Sequence, residues 1–464
     1  MNETEVKDQN LREFSHVMKR EWDERASQDA KWFINTLRFQ QTEEEFDRTG
    51  LIEVERLVLA DLALLTGKRD PKSLRLLEIG CGTGRMTKHL ANIFGEVVGT
   101  DVSGEMIRQA SERLTGIGNV ELYETNGVDF SMLTDESFDL VLSAYVFQHV
   151  PSAEVIASNI REAWRLLKPG GVFKFQTSSI TALDFEEIEK DTWVGASYPE
   201  SEIRRFALET GAQLISVFGA GTQYCWSTIR KRFAPPTVSQ TAAIPHIIYY
   251  GRTTASEIKT IPTSGDQASL TVIVSGLDHE MVDCNSISVE IGDLAILPRY
   301  VGPPGRNFEG ELKAEFGQSI DHLTQIEIGI PACMPADIAP VRVRVEGGGV
   351  SEAVSIEFEE AQPIIPKIGT IMNAHDNGTD VYARGEKSRL KILVDGLNEA
   401  ADTGNIRVLV GERVVKPTRV IFLVGNNIYE VDAQLPNDIK PGWADLSIYF
   451  GNLQSPCAKI EIKS

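Results

Sequence analysis

A chain of 464 residues exceeds one ordinary hydrophobic core, so two or three domains are expected. With 42% hydrophobic and 24% charged residues it has the composition of an ordinary globular protein, and no apolar run reaches the roughly 20 residues that span a bilayer. A formal charge of -21 repels phosphate backbones and anionic lipid, which sets aside nucleic acid and membrane as partners.

The opening MNETEVKDQN is polar and acidic, without the basic start and apolar core of a signal peptide. Residues 1–70 read as a helical region, with one stripe of Trp22, Ala26, Trp32, Phe33 and Leu37 and another of Ile52, Val54, Leu57, Val58, Leu62 and Leu65. Residues 71–236 alternate short apolar runs with amphipathic segments, the pattern of an α/β sheet covered on both faces. Strands are predicted at Leu74–Ile79, Glu96–Thr100, Val120–Tyr123, Phe138–Ala144 and Val172–Thr177, with closing strands at Gln213–Phe218 and Tyr224–Arg230. Helical stripes lie between them. Ser103 and Ser152 are expected N-caps, and Lys168-Pro169-Gly170-Gly171 is expected to stop the helix before the fifth strand.

Residues 237–256 read as a connector, and the remainder as an all-β half. That half repeats itself. Val272-Ile-Val-Ser-Gly-Leu277 matches Ile392-Leu-Val-Asp-Gly-Leu397, and Ile287-Ser-Val-Glu-Ile-Gly292 matches Ile406-Arg-Val-Leu-Val-Gly411. Pro335-Ala-Asp-Ile-Ala-Pro340 matches Pro436-Asn-Asp-Ile-Lys-Pro441, and Ile356-Glu-Phe358 matches Ile460-Glu-Ile462. Four blocks in one order predict two related β-sandwich modules, at 257–361 and 366–464. Cys81, Cys225, Cys284, Cys333 and Cys457 include no CxxC pair, and the histidines do not stand at zinc-ligand spacing from them. Reduced thiols, a cytoplasmic location and no metal are the expectations.

Chemistry concentrates at Leu76-Leu77-Glu78-Ile79-Gly80-Cys81-Gly82-Thr83-Gly84, an apolar strand entering a glycine-rich turn and then a helix. Glycines at 80, 82 and 84 allow a tight bend and put no Cβ between backbone and ligand. The helix that follows is expected to point free N–H groups at the turn. The second strand closes on Asp101, whose carboxylate can accept from two ribose hydroxyls or, alternatively, cap the next helix.

These motifs resemble the Rossmann-like, seven-stranded S-adenosylmethionine-dependent methyltransferase family over residues 15–232. The first motif is Glu78-x-Gly80-x-Gly82-x-Gly84. Asp101-Val102 resembles the second, and the Thr125–Asp129 turn stands where the family carries a Gly-Asp-Ala-like turn, with Asn126 in place of the commoner Asp. Phe138–Ala144 with Phe147–Pro151, and Leu167–Val172, resemble the fourth strand and the entry to the fifth. The C-terminal modules are similar to immunoglobulin-like modules of the IPT/TIG type, in block spacing and turn residues only. The resemblance implies S-adenosyl-L-methionine as cofactor, held by Glu78, Gly80, Cys81, Gly82, Gly84, Asp101, Val102, Met106, Asn126, Gly127, Val128 and Ser143. In it Asp101 takes the ribose, Val102 lies beside the adenine and Asn126 touches the adenine amine.

Methyl transfer from a sulfonium needs alignment and exclusion of water; a base is needed only if the acceptor arrives protonated. His149 is the titratable candidate near the fourth strand's end, either as base or as a hydrogen-bonded loop imidazole. Trp22, Phe33, Tyr145, Gln148, Trp193 and Tyr198 are the expected acceptor contacts, with Asp29 and Trp32 completing a lid or simply packing helices. Three readings follow: a methyltransferase for an O, N or C acceptor, with β-modules that oligomerise it or recruit the acceptor; a non-catalytic cofactor-binding scaffold whose modules bind a protein or glycan; and an NAD-dependent oxidoreductase. The last requires Gly-x-Gly-x-x-Gly, but position 85 is Arg.

Overall fold

The computed structural model describes residues 3–35, 41–180, 192–193, 195–233, 244–253, 257–264, 268–316, 320–331, 334–360, 365–397, 401, 406–423, 428–450 and 453–464. Helix α1 (Glu3–Ile34) leaves helical geometry at Asp29, whose carboxylate accepts from Trp32 N–H and caps the final turn. Ala26 and Ala30, four apart, bury against Met106 with Trp22 and Ile34 beside them, so α1 lies along the first turns after the second strand. Helix α2 (Glu43–Val54) opens with a capping box between Thr42 and Glu45. It runs through a π turn (Glu55–Leu59) into α3 (Leu62–Thr66).

The first sheet contains β1 (Arg75–Ile79), β2 (Glu96–Asp101), β3 (Val120–Glu124), β4 (Phe138–Ser143), β5 (Leu167–Thr177), β6 (Gln213–Phe218) and β7 (Cys225–Arg230), in the order β3-β2-β1-β4-β5-β7-β6. The five strands from β3 to β5 are parallel; β7 is antiparallel to β5 and to β6. All six residues of β4 are buried because both faces are covered: Val141 packs into one core, Leu140 and Leu142 into another. Helices α4 (Thr87–Ile93), α5 (Gly104–Arg113), α6 (Ala153–Leu166) and α7 (Glu200–Thr210) link the strands. Ser103 and Ser152 cap α5 and α6 as expected. The chain reverses its direction of travel across the sheet between β1 and β4, the place where open α/β sheets bind ligands.

Two local expectations need correction. The regular helix after the glycine turn starts at Thr87 and not at Gly84, with no side chain capping it, although Lys88 N–H already donates back to Gly84 C=O. Residues 168–171 do end α6, but they already belong to β5, because Leu167 pairs with Phe138 and the irregularity is absorbed between Phe138 and Leu140.

The C-terminal half consists of β8 (His246–Arg252), β9 (Ile261–Pro262), β10 (Ser269–Ser275), β11 (Ile287–Ile291), β12 (Leu294–Ile296), β13 (Tyr300–Gly302), β14 (Thr324–Gly329), β15 (Ile338–Val345) and β16 (Val354–Glu359). Then come β17 (Lys367–Asn373), β18 (Val381–Tyr382), β19 (Arg389–Asp395), β20 (Ile406–Val410), β21 (Arg413–Val415), β22 (Arg419–Leu423), β23 (Ile428–Gln434), β24 (Gly442–Phe450), β25 (Leu453–Gln454) and β26 (Ala458–Lys463).

The sequence repeat is a structural repeat. Strand order β8-β10-β14-β13 recurs as β17-β19-β23-β22, and β12-β11-β15-β16-β9 recurs as β21-β20-β24-β26-β18. The hairpins agree in register: Val289 pairs with Ile296 as Val408 pairs with Val415. A serine at matching places, Ser351 and Ser455, accepts from Val343 N–H and Ile448 N–H and donates to the next carbonyl. In the second unit both sheets supply one core, Leu390, Ile392 and Val431 from one and Val408, Ile448 and Ile460 from the other.

The segment expected to be a connector contains β8, which pairs with β10 across six register partners. An eighth helix, α8 (Arg306–Phe316), stands in the half expected to be all β, held by buried Phe308 and Leu312 against Ile273. The first β unit also does not stand apart. Val217 N–H donates to Arg299 C=O and Tyr300 pairs with Ser216, so β6 and β13 join the two sheets into one of eleven strands. Among the described residues no helix is long and apolar enough to cross a membrane.

Candidate functional site

At the reversal point the glycine turn has left-handed backbone at Gly80, Gly82 and Gly84 (φ +73°, +54° and +78°). A Cβ on Gly80 would stand 2.2 Å from Val146 Cγ2, and one on Gly82 would stand 2.8 Å from Ile34 Cδ1. The turn is therefore flanked by the loop after β4 on one side and by the end of α1 on the other. Gly80 and Cys81 N–H groups donate to Thr100 C=O, tying the turn to β2. Asp101 closes β2 with both carboxylate oxygens engaged: Gly82 N–H donates to one and Ser103 N–H to the other, each at 2.9 Å. The carboxylate thus ties the turn to the residue ahead of α5, while the cap of α5 is Ser103 itself. Each oxygen still has a lone pair for a further donor.

Below the turn the site is buried and charged. Burial pushes the Glu78 carboxyl up to about 7, although Thr87 donates to it at 2.6 Å and Arg85 lies nearby. Burial pushes Asp101 up to about 6 and the Cys81 thiol, held between the two carboxylates, well above its ordinary value. Two buried polar atoms here have no hydrogen-bond partner, Arg85 Nε and Ser143 Oγ. Ser143 stands in register with Ile79, next to Gly80. Buried unpaired polar atoms are costly. Their convergence on a glycine cradle fits a polar ligand bearing hydroxyls and charges of both signs, as S-adenosyl-L-methionine does.

Two other expected cofactor contacts, Asn126 and Met106, are corrected. Asn126 Oδ1 accepts from Val128 and Asp129 N–H, and its amide donates to Asp129, so the side chain builds its own turn and does not offer its oxygen to an adenine amine. Gly127 N–H goes to Thr125 Oγ1, and the Val128 N–H is the one taken by Asn126. Met106 is buried against Ala26 and Ala30 and supports α1. Val102 is half-buried, within 3.0 Å of a Cβ built on Gly127.

The expected acceptor residues separate into three places. Trp22, Phe33 and Trp193 gather with Trp32 and His149: Trp22 meets the imidazole edge-on at 5.4 Å, and Trp32 stacks on Trp193 at 5.8 Å. Arg25, which the sequence reading missed, places its guanidinium over Trp22 at 4.9 Å and over Trp193 at 5.7 Å. Its position three residues after Trp22, on the same helical stripe, is the signal that could have found it. Tyr145 lies elsewhere, in left-handed backbone (φ +62°), its hydroxyl between Arg56 and Glu53 and its ring against Tyr224 and Trp226. Tyr198 is a core residue at 5% exposure, bonded through its backbone to Ser178 and Thr177 and apart from the Trp22–Trp193 cluster.

His149 is corrected as a base. Its Nδ1–H donates to Trp193 C=O at 2.9 Å and its Nε2 accepts from the Gln148 amide at 3.1 Å. Gln148 in turn accepts from Gln176. Both imidazole nitrogens hold the loop in place, as the structural alternative anticipated. Arg85 was noticed only as a departure from an NAD motif; a buried guanidinium directly after Gly84 is the missed member of the site.

Residues 77–175 match the family model described as a methyltransferase domain. A ubiquinone biosynthesis O-methyltransferase from Maricaulis maris is 27% identical over 37% of this chain and 68% of its own length. A demethylmenaquinone methyltransferase from Staphylococcus aureus is 29% identical over 32% of this chain and 63% of its own. Other curated relatives are matched over about half their length, for example 47% and 52%. A solved SAM dependent methyltransferase from Aquifex aeolicus, 18% identical, covers 41% of this chain and 100% of its own with a TM-score of 0.30. A methyltransferase domain therefore occupies residues 77–175, within the α/β sheet.

Proposed function

We propose that the whole chain is an enzyme that transfers the methyl group of S-adenosyl-L-methionine to an O, N or C atom of an acceptor. The observation that carries this reading is the Asp101 carboxylate clamped onto the Gly82 N–H, with the unpartnered buried Arg85 Nε and Ser143 Oγ beside it at the sheet's reversal point. When bound, the cofactor supplies an electrophilic methyl on a sulfonium. Asp101 receives the ribose hydroxyls; Glu78 and Arg85 match the ammonium and carboxylate of the amino-acid end. Ile34 and Val146 exclude water from the two flanks of the turn. Trp22, Phe33 and Trp193 line the acceptor side, with His149 and Gln148 fixing that loop.

In this reading residues 1–70 are the lid, 71–236 the cofactor domain, and 246–361 (with β8, which the sequence reading left in a connector) and 366–464 two immunoglobulin-like modules of IPT/TIG type that oligomerise the enzyme or recruit its acceptor. The names of the relatives point first to a hydroxyl acceptor, in the cytoplasm. Incubation of full-length protein with methyl-labelled cofactor and a cell extract tests the proposal. Label should move to an acceptor with one S-adenosylhomocysteine formed per transfer. Tight cofactor binding with no label transferred would establish the scaffold reading instead.

A further inference from the structure

Beside Thr83 of the glycine turn lies a cavity of about 480 Å³, lined also by Lys31, Glu43, Lys88, Gln109 and, along α5, Arg108, Glu112 and Arg113. Four cations and two carboxylates line it, and Asp47 and Glu105 at its edge pair with Lys88, Arg113 and Arg108, so the cluster is close to neutral on its own. The carboxylates do not satisfy the cations separately. Glu43 is shared by Lys31 and Arg113, each at 2.5 Å, while Lys88 leans on Asp47 at 2.9 Å and Arg108 on Glu105 and Glu112. Thr83, at 3% exposure, lines the same cavity with its hydroxyl unpartnered.

We propose that this cavity is a second ligand site, for the phosphate group of a small phosphorylated molecule, and that its occupancy tightens cofactor binding. Two guanidinium forks and two ammonium groups around one volume are the donor set that phosphate oxygens take up. The Thr83 hydroxyl adds a neutral donor, and the volume is that of a small-molecule pocket. Glu43 and Glu112 exchange their ion pairs for the incoming anion. Coupling follows from position: Thr83 lies within the glycine turn, and Lys31 is one helical turn before Ile34, which covers Gly82. A phosphate bridging Lys31 to Lys88 and Arg108 fastens the end of α1 over the cofactor. This coupling, but not the anion site itself, rests on the methyltransferase reading.

Phosphorus NMR of inorganic phosphate and of AMP with the full-length protein reads the site directly, and calorimetry of S-adenosylhomocysteine with and without each reads the coupling. Chloride at matched ionic strength is the control. Broadening of the phosphorus signal is expected, together with affinity for S-adenosylhomocysteine raised five-fold or more. A response to AMP alone identifies a nucleotide-sized ligand, and an equal response to phosphate identifies the anion itself. Lys88→Gln and Arg108→Gln, both at exposed side chains, should abolish broadening and coupling while leaving affinity without phosphate unchanged. No broadening with either probe, or full coupling in both variants, would overturn the proposal. Broadening in a protein that binds no S-adenosylhomocysteine would keep the site and remove the methyltransferase reading.

Discussion

Glu78 sits on a strand covered on both faces, so its charge has no water to stabilise it, and its carboxyl titrates near 7 where an exposed glutamate has 4.5. The folded protein then holds a proton that the unfolded chain releases at lower pH. Stability therefore falls as pH rises from about 4.5 to 7 and levels off above, by ~3 kcal/mol for this group. Thermal melts of the cofactor-free protein across that range should show the decline, and Glu78→Gln should make it shallower, leaving the part that Asp101, pushed up to about 6, contributes below that pH. An unchanged slope in the variant would mean that the carboxyl is already ionised. The residue types at this site were legible because glycine and a strand-ending acid have few substitutes for their geometry. Asn126 was not, since an amide looks the same in sequence whether it faces a ligand or its own turn. His149 left the same ambiguity, which only its two hydrogen bonds resolve.

Gly50 shows how helix packing overrides propensity. It lies inside α2, where Gly→Ala ordinarily stabilises by roughly 1 kcal/mol. Here a Cβ would come within 2.2 Å of Arg85 C=O, the residue that follows the glycine turn. Gly50→Ala should instead destabilise by ~1–3 kcal/mol in urea unfolding. It should also weaken cofactor binding, because α2 braces the turn from behind. A second test at this scale concerns α1. Removing the Ile34 side chain as Ile34→Ala uncovers Gly82, and amide hydrogen exchange in the turn should speed up without loss of the fold. Helices and strands were readable where the apolar period was long, as in α6. Helix α8 was hidden because, among its described residues, Phe308 and Leu312 alone mark its buried face, and β8 because its pairing partner lies beyond a turn-rich stretch.

Across the molecule, the methyltransferase sheet and the first β unit share one sheet and one core that runs from Leu77 through Leu214 to Val289. The second β unit has a core of its own. Chemical unfolding should accordingly show two transitions, one for residues 366–464 and one for everything before them. A chain ending at residue 233 should aggregate, having lost the partner of β6. Four repeated blocks announced the two units in the sequence, but the junction through Ser216 and Tyr300 carries no local signal, since a single strand-edge pairing reflects only where the chain returns. The most direct measurement is calorimetric titration of the full-length protein and its Asp101→Ala variant with S-adenosylhomocysteine, and separately with NAD. The structure predicts saturable binding of S-adenosylhomocysteine, at least ten-fold weaker in the variant, and no binding of NAD. Equal affinity in the two proteins, or saturable NAD binding in its place, would contradict it.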